Sequence, residues 1–212
     1  MRYEAERLVE SVERLKRSHV RELVERRMRE FKKLGEATSR EIFSELSFCI
    51  LCANYSAERS MRIQAEIGDG FITLPKPELA ERLRKAGHRF PESRASYIVS
   101  ARRYLDKIKG VLETIRDPME LREWLARNIP GIGLKEASHF LRNVGHTDLA
   151  IIDFHILDIL ARHGVIKKPK TMTRRRYLMI EERLRGIANR VGLNMAQLDL
   201  YLWYLETGKV LK

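Results

Sequence analysis

"NIPGIGLKEASHFLRNVGHTDLAIIDFHIL", residues 128–157, decides the fold. Its first half reads as the end of one helix, an Ile-Pro-Gly-Ile-Gly turn, and the start of another. Gly131 and Gly133 both permit positive φ and leave the backbone bare. Ile129 and Ile132 would pin the turn to a core, with Ala137 and Leu141 behind it. Lys135 is the odd residue. It falls in the first turn of the second helix, where unpaired N–H groups carry partial positive charge and disfavour an ammonium by roughly 0.3–1 kcal/mol. Asp or Glu would be at ease there.

A bare turn feeding a helix N-terminus has a plain use. The N–H groups of Gly131, Gly133 and the first helical turn can receive a phosphate oxygen. Two glycines bracketing one apolar residue are more specific than an ordinary tight helix–helix turn, so DNA-backbone binding is the reading adopted.

Outward from the hairpin, apolar spacing is helical almost everywhere, with no sustained alternation of period two. Leu8, Val12 and Leu15 share one face of a first helix. Val20, Leu23, Val24, Met28 and Phe31 mark a second, which Gly35 can close. Ser39 can cap "REIFSELSFCILCA", which reads as the most buried element. A shorter helix is expected over 57–68. Pro77 and Gly87 stand at the start and end of another. A long helix runs after Pro91 through "SRASYIVSARRYL". "DPME" at 117–120 is a start signal, with Asp117 as cap, Pro118 in the first turn and Glu120 reaching back. Helices at 134–143, 154–163, 174–191 and 195–206 complete an all-α chain of about ten.

The bulk properties agree. At 212 residues with 44% hydrophobic content, the chain can bury a core in one domain or two small ones. Forty-one Lys plus Arg against 29 Asp plus Glu leave a net charge of +12, which suits a polyanion. No stretch of about 18 apolar residues exists and the N-terminus lacks an apolar signal core, so a cytoplasmic protein without membrane association is expected. Cys49 and Cys52 lie in an apolar stretch with no third cysteine. A four-thiolate metal or iron–sulfur site cannot form in one chain, and buried thiols packing as small apolar residues are the preferred reading. "TRRRY" at 173–177 could meet phosphates or be a solvated helix start. Asp158 reads as structural.

The hairpin segment resembles the helix-hairpin-helix of the base-excision-repair glycosylases, whose motif is followed by a Gly/Pro-containing loop and an Asp, here Asp153. "SELSFCILCANYSAE", "GHRFPESRA", "KEASHFLRNVG" and "LDLYLWYLETGKVLK" extend the resemblance to the archaeal-type 8-oxoguanine DNA glycosylases, over most of the chain from about residue 40. Members with lysine at this hairpin position are bifunctional glycosylase/AP lyases. The resemblance implies two helical lobes, 1–38 with 149–212 and 39–148, with the active site in the cleft between them. It implies excision of 8-oxoguanine from double-stranded DNA and strand cleavage 3′ to the lesion, by a monomer needing no redox cofactor or catalytic metal. A structural Na⁺ or K⁺ on the hairpin carbonyls is possible, as in relatives.

This gives Lys135 a purpose. A lyase of this kind needs a neutral amine to attack C1′ and form a Schiff base, and a helix N-terminus with partial desolvation penalises the ammonium. Asp153 has two compatible readings: a cap for "FHILDILARHG", and a carboxylate that stabilises positive charge on the sugar. A flipped base needs a pocket, which the resemblance builds from Phe90 and Trp203, with Asp199 one turn before Trp203 accepting from the purine edge. Core packing is the competing role for both aromatics. Asn54 aligns with positions that fill the hole left by the flipped base, and is equally a good helix terminator. Lys212 would bring a terminal carboxylate to the pocket, or else belong to a frayed end. Since oxidation at C8 turns N7 into a donor, an acceptor there would discriminate by roughly 1–3 kcal/mol; the alternative is that it reads the N1 or N2 edge, which favours guanine-type bases without sensing the oxidation. Two alternatives remain: a glycosylase for another oxidised base, which keeps Lys135 and Asp153, and a non-catalytic DNA-binding module, which keeps only the glycines.

Overall fold

The structure, a computed structural model, describes residues 2–212, and among them every regular element is helical. The chain divides into two units, Met1–Lys32 with Gly145–Lys212, and Lys33–Val144. The boundaries precede those expected at 38/39 and 148/149. The first lies inside a helix, which no loop signal could mark.

In chain order the helices are α1 (Arg2–Lys16), α2 (Val20–Gly35), α3 (Ser39–Cys52), α4 (Ala57–Ile67), α5 (Gly70–Thr73), α6 (Lys76–Lys85), α7 (Pro91–Ala101), α8 (Ile108–Thr114), α9 (Pro118–Asn128), α10 (Leu134–Asn143), α11 (Phe154–Arg162), α12 (Arg174–Arg190) and α13 (Met195–Thr207). The short α5 and α8 were not foreseen. The run after Pro91 is not one long helix: it stops at Ala101, tightens into a 3-10 turn over Arg102–Tyr104, and restarts at Ile108.

The Lys33–Val144 unit is built on α3, which packs against α4, α7, α8 and α10. From Ile42 to Cys52 all its residues but Ser44 are buried, the thiols of Cys49 and Cys52 included. Its cap is Thr38, not Ser39. The Thr38 hydroxyl accepts from Glu41 N–H at 3.3 Å and the Glu41 carboxylate accepts from Thr38 N–H at 2.9 Å, a reciprocal box that satisfies two orphan donors. Buried Glu45 on α3 is not left unpaired. It accepts from Asn143 Nδ2 of α10 at 2.6 Å and from Gln64 Nε2 of α4 at 3.3 Å, as burial of a carboxylate requires.

Asp117 caps α9 as expected, accepting from Met119 and Glu120 N–H at 2.7 and 2.9 Å. Glu120 supplies only its backbone there; no reciprocal bond from its side chain accompanies the cap. Gly35 is the last residue of α2. Its lack of a side chain serves close approach, because a Cβ there would fall 2.2 Å from the Val144 carbonyl oxygen.

In the other unit α13 packs against α1, α11 and α12, and Leu8, Val12, Ile156, Ile159, Leu184 and Leu198 are buried. Asn194 and Gln197 form a second reciprocal box at the start of α13. No helix among the described residues is long and apolar enough to cross a membrane.

Candidate active site

Lys135 occupies the second position of α10, directly after the hairpin. Ile129 and Ile132 are 2% and 5% exposed, which anchors the turn in the core, and Ile132 N–H closes it on the Ile129 carbonyl at 3.3 Å. Gly131 has φ +81°, and a Cβ there would fall 2.4 Å from the ring of Tyr97. Both conformation and space demand glycine. Gly133 does not share the first reason. It is the N-cap of α10 with φ −100° and ψ −170°, backbone that any residue adopts, and a Cβ would meet only Glu136 Oε2 at 3.5 Å. The positive φ that glycine permits is used at Gly131 and not at Gly133. What remains for it is an uncovered backbone beside the N–H groups of α10.

The Lys135 side chain is three-quarters buried, and its Nζ lies 3.1 Å from Glu136 Oε1. The acidic residue that a helix N-terminus prefers is thus present, one position along. Glu136 also acts through space on Arg94 of α7. Buried Arg94 donates to the Ala53 carbonyl and stands 5.5 Å from the Phe90 ring centroid and 5.8 Å from that of Tyr97. Burial pushes its guanidinium below the ordinary arginine value, with Tyr97 and Glu136 opposing; arginine remains charged all the same.

Asn54 follows α3 with φ +55°, the one non-glycine residue of positive φ among those described. With Ala53 at φ −65°, ψ 114° and Tyr55 N–H bonded to the Cys52 carbonyl, it occupies the third position of a type II turn. Asn54 does terminate the helix. Phe90 is the half-buried N-cap residue of α7, before Pro91. The Arg89 guanidinium lies 5.0 Å from its ring centroid. Glu136, Arg94, Tyr97 and His88 are neighbours of these residues that the residue-by-residue reading did not single out. For the last three, the charged and aromatic density of "GHRFPESRASY" was the available signal.

In the other unit Asp153 is the N-cap of α11, its Oδ1 accepting from Ile156 N–H at 2.9 Å. His155, two residues on, meets the Trp203 ring edge-on at 4.8 Å between centroids. This joins the Asp153 end of α11 to the aromatic residue of α13. Trp203 is half-buried while Leu198, Leu200 and Leu202 are wholly inside, so it is not a simple core residue. Asp199, one turn earlier, is 8% exposed. After α13 the backbone turns at Gly208, φ +68°, and the Val210 carbonyl accepts from Arg27 at 3.4 Å. Half-buried Lys212 ends this stretch. Asp158 pairs with Lys168, in keeping with a structural part.

Comparison with known proteins gives a single answer. A family model described as 8-oxoguanine DNA glycosylase matches residues 24–193. A Korarchaeum cryptofilum protein named 8-oxoguanine DNA glycosylase/AP lyase is 53% identical over 206 residues, 97% of this chain and 98% of that protein. The structure of the Methanocaldococcus jannaschii 8-oxoguanine glycosylase/lyase in complex with a 15mer DNA containing 8-oxoguanine matches with TM-score 0.94 and 52% identity, over 97% of this chain and 99% of that one. The Thermotoga maritima 8-oxoguanine DNA glycosylase matches with TM-score 0.92 and 51% identity, over 98% and 100%. A DNA complex of endonuclease III, 18% identical with TM-score 0.60 over 88% and 83%, shares the fold. The chain belongs to the helix-hairpin-helix family of 8-oxoguanine DNA glycosylases.

Proposed function

We propose that this chain removes 8-oxoguanine from DNA and cleaves the strand 3′ to the lesion, with Lys135 as nucleophile. The observation that carries the reading is a lysine, three-quarters buried, in the first turn of the hairpin helix of a glycosylase fold. Gly131, Gly133 and the N–H groups of α10 bind the DNA backbone, and Asn54 takes the space of the flipped nucleotide. Phe90 and Trp203 wall the base, with Asp199 accepting hydrogen bonds from its edge and Lys212 beside the pocket.

The neutral Lys135 amine attacks C1′ while the C1′–N9 bond breaks and the base leaves with a proton. Positive charge on the sugar is stabilised by the ionised Asp153 carboxylate, which its cap position keeps hydrogen-bonded. The C1′–O4′ bond then opens to a protonated imine on Lys135. Loss of a C2′ proton expels the 3′ phosphate, and water releases the lysine. A Na⁺ or K⁺ on the hairpin carbonyls fits the hard oxygen donors of that turn. It would supply positive charge near a phosphate, and no step runs through it. The protein acts as a monomer in the cytoplasm.

The test is a duplex carrying one 8-oxoguanine, incubated with and without borohydride. A trapped covalent complex is expected from the natural protein. Lys135→Gln should abolish both the complex and strand cleavage while binding DNA as before. A cross-link of undiminished yield in that variant would remove Lys135 from the mechanism.

A further inference from the structure

Asn54 and Phe90 belong to separate turns, and a small set of contacts fastens one turn to the other. Tyr55 Oη donates to the Gly87 carbonyl at 2.9 Å, and Arg94 donates to the Ala53 carbonyl. Between them sits His88, 4% exposed, under the Tyr55 ring with centroids 4.2 Å apart. His88 engages the Phe90 turn and the last turn of α3, from which the Asn54 turn departs. Its Nδ1 accepts the backbone N–H of Phe90 at 3.0 Å, and its Nε2 lies 3.1 Å from the Leu51 carbonyl.

The chemistry of those partners fixes the proton. A backbone N–H can only donate, so Nδ1 carries no hydrogen; a carbonyl can only accept, so Nε2 carries one. Burial and the nearby Arg94 charge both disfavour the imidazolium, in agreement with this neutral tautomer, although the Leu51 bond pulls the other way. The end of α6 delivers the ring: Gly87 has φ +77°, Gly87 N–H bonds the Arg84 carbonyl and His88 N–H bonds that of Leu83, both at 2.9 Å. Those two bonds close the helix and fix the backbone of His88. α6 and α7 also pack together, with Leu79, Leu83, Ala95 and Ile98 fully buried.

We propose that His88 is a positioning residue for base recognition: by accepting the Phe90 N–H and donating to Leu51, it sets the Phe90 ring relative to the Asn54 turn. The inference rests on Phe90 being a wall of the base pocket. It separates excision from lyase chemistry, because an abasic site has no base for Phe90 to meet.

Amide side chains can replace the two nitrogens one at a time. In His88→Asn the Oδ1 stands near the place of Nδ1 and can accept from Phe90. In His88→Gln the amide NH₂ stands near Nε2 and can donate to Leu51. These two variants, His88→Ala and Phe90→Ala are compared in single-turnover excision of 8-oxoguanine and in cleavage of a pre-formed abasic site. His88→Ala and His88→Gln should lose excision on the order of ten- to a hundredfold, the scale of a small misplacement of a positioned group, and cleave the abasic site nearly normally. His88→Asn should retain most excision. Equal losses on both substrates, or an Asn variant no better than Gln, would overturn the proposal. If Phe90→Ala cuts excision while His88→Ala does not, the His88 role falls alone. If Phe90→Ala leaves excision intact, the wall reading falls and takes the His88 role with it.

Discussion

Asp153 has a local duty in the structure and, in the proposed reaction, a chemical one. As N-cap of α11 it satisfies Ile156 N–H, so Asp153→Asn keeps an oxygen that can accept the same bond. We expect that variant to unfold with a loss of about 1 kcal/mol or less. Its excision rate should fall by two or more orders of magnitude, because stabilisation of the sugar cation needs the charge. A loss of only a few-fold would leave Asp153 as a cap alone. The hairpin glycines should part company in the same way. Gly131→Ala meets both a positive φ and the Tyr97 ring, and should destabilise by roughly 1–3 kcal/mol. Gly133→Ala meets neither, and should leave thermal stability nearly unchanged while weakening DNA binding through a methyl group on the phosphate-facing backbone. Equal destabilisation by the two would contradict the geometry. The glycine pair was visible in the sequence, but the conformation of Gly133 was not. Both residues permit either sign of φ, and only the path of the chain into α10 selects. Glu136 beside Lys135 escaped notice for another reason. It reads as an ordinary first-turn acid, and its meaning depends on Arg94, 42 positions away.

At the scale of elements, end signals were legible where side chain and backbone lie within four residues of each other. "DPME" located α9, and Asp153 located α11. The start of α3 was misread by one residue because "TS" offers two hydroxyls, and only Thr38 has a glutamate three positions on. The box it forms gives a measurable pH dependence. Hydrogen bonds from Thr38 hold the Glu41 carboxyl below its ordinary value of 4.5. A carboxyl depressed on folding adds stability that is complete above its unfolded value and is lost as pH falls through its folded one. Thr38→Ala should therefore lower the melting temperature by roughly 2–4 °C at neutral pH. The gap to the natural protein should narrow below pH 4.5, and a gap that stayed constant into acid would exclude Glu41 from the box. The break after Ala101 and the helices α5 and α8 were illegible because they are short. A four-residue helix completes too few turns for apolar spacing to appear, and α8 begins without a side-chain cap.

For the molecule as a whole, a charge of +12 makes ionic strength the decisive variable. Each phosphate neutralised contributes a slope of about −0.9 to log affinity against log salt. Affinity for undamaged duplex should drop at least tenfold between 50 and 200 mM salt. Lys135→Gln removes at most one such contact and should leave the slope nearly as steep. A flat salt profile would contradict backbone binding by the hairpin. The all-helical class was readable throughout, since period-two alternation is missing from every stretch. The resemblance implied the division into units, but not the place of its first boundary, which passes through the last turn of α2. Where the chain crosses, its two passages lie together. A Cβ at Gly145 would stand 3.4 Å from Lys32 Cα, and Gly35 abuts the Val144 carbonyl. Residues 33–144 are consequently spliced into the middle of another fold like a cassette, their cut ends already neighbours. Such ends can be rejoined by a linker of a few residues at small entropic cost, in either unit. The first and last parts of the gene, though far apart along it, thus encode one unit whose interrupted ends meet at Lys32 and Gly145.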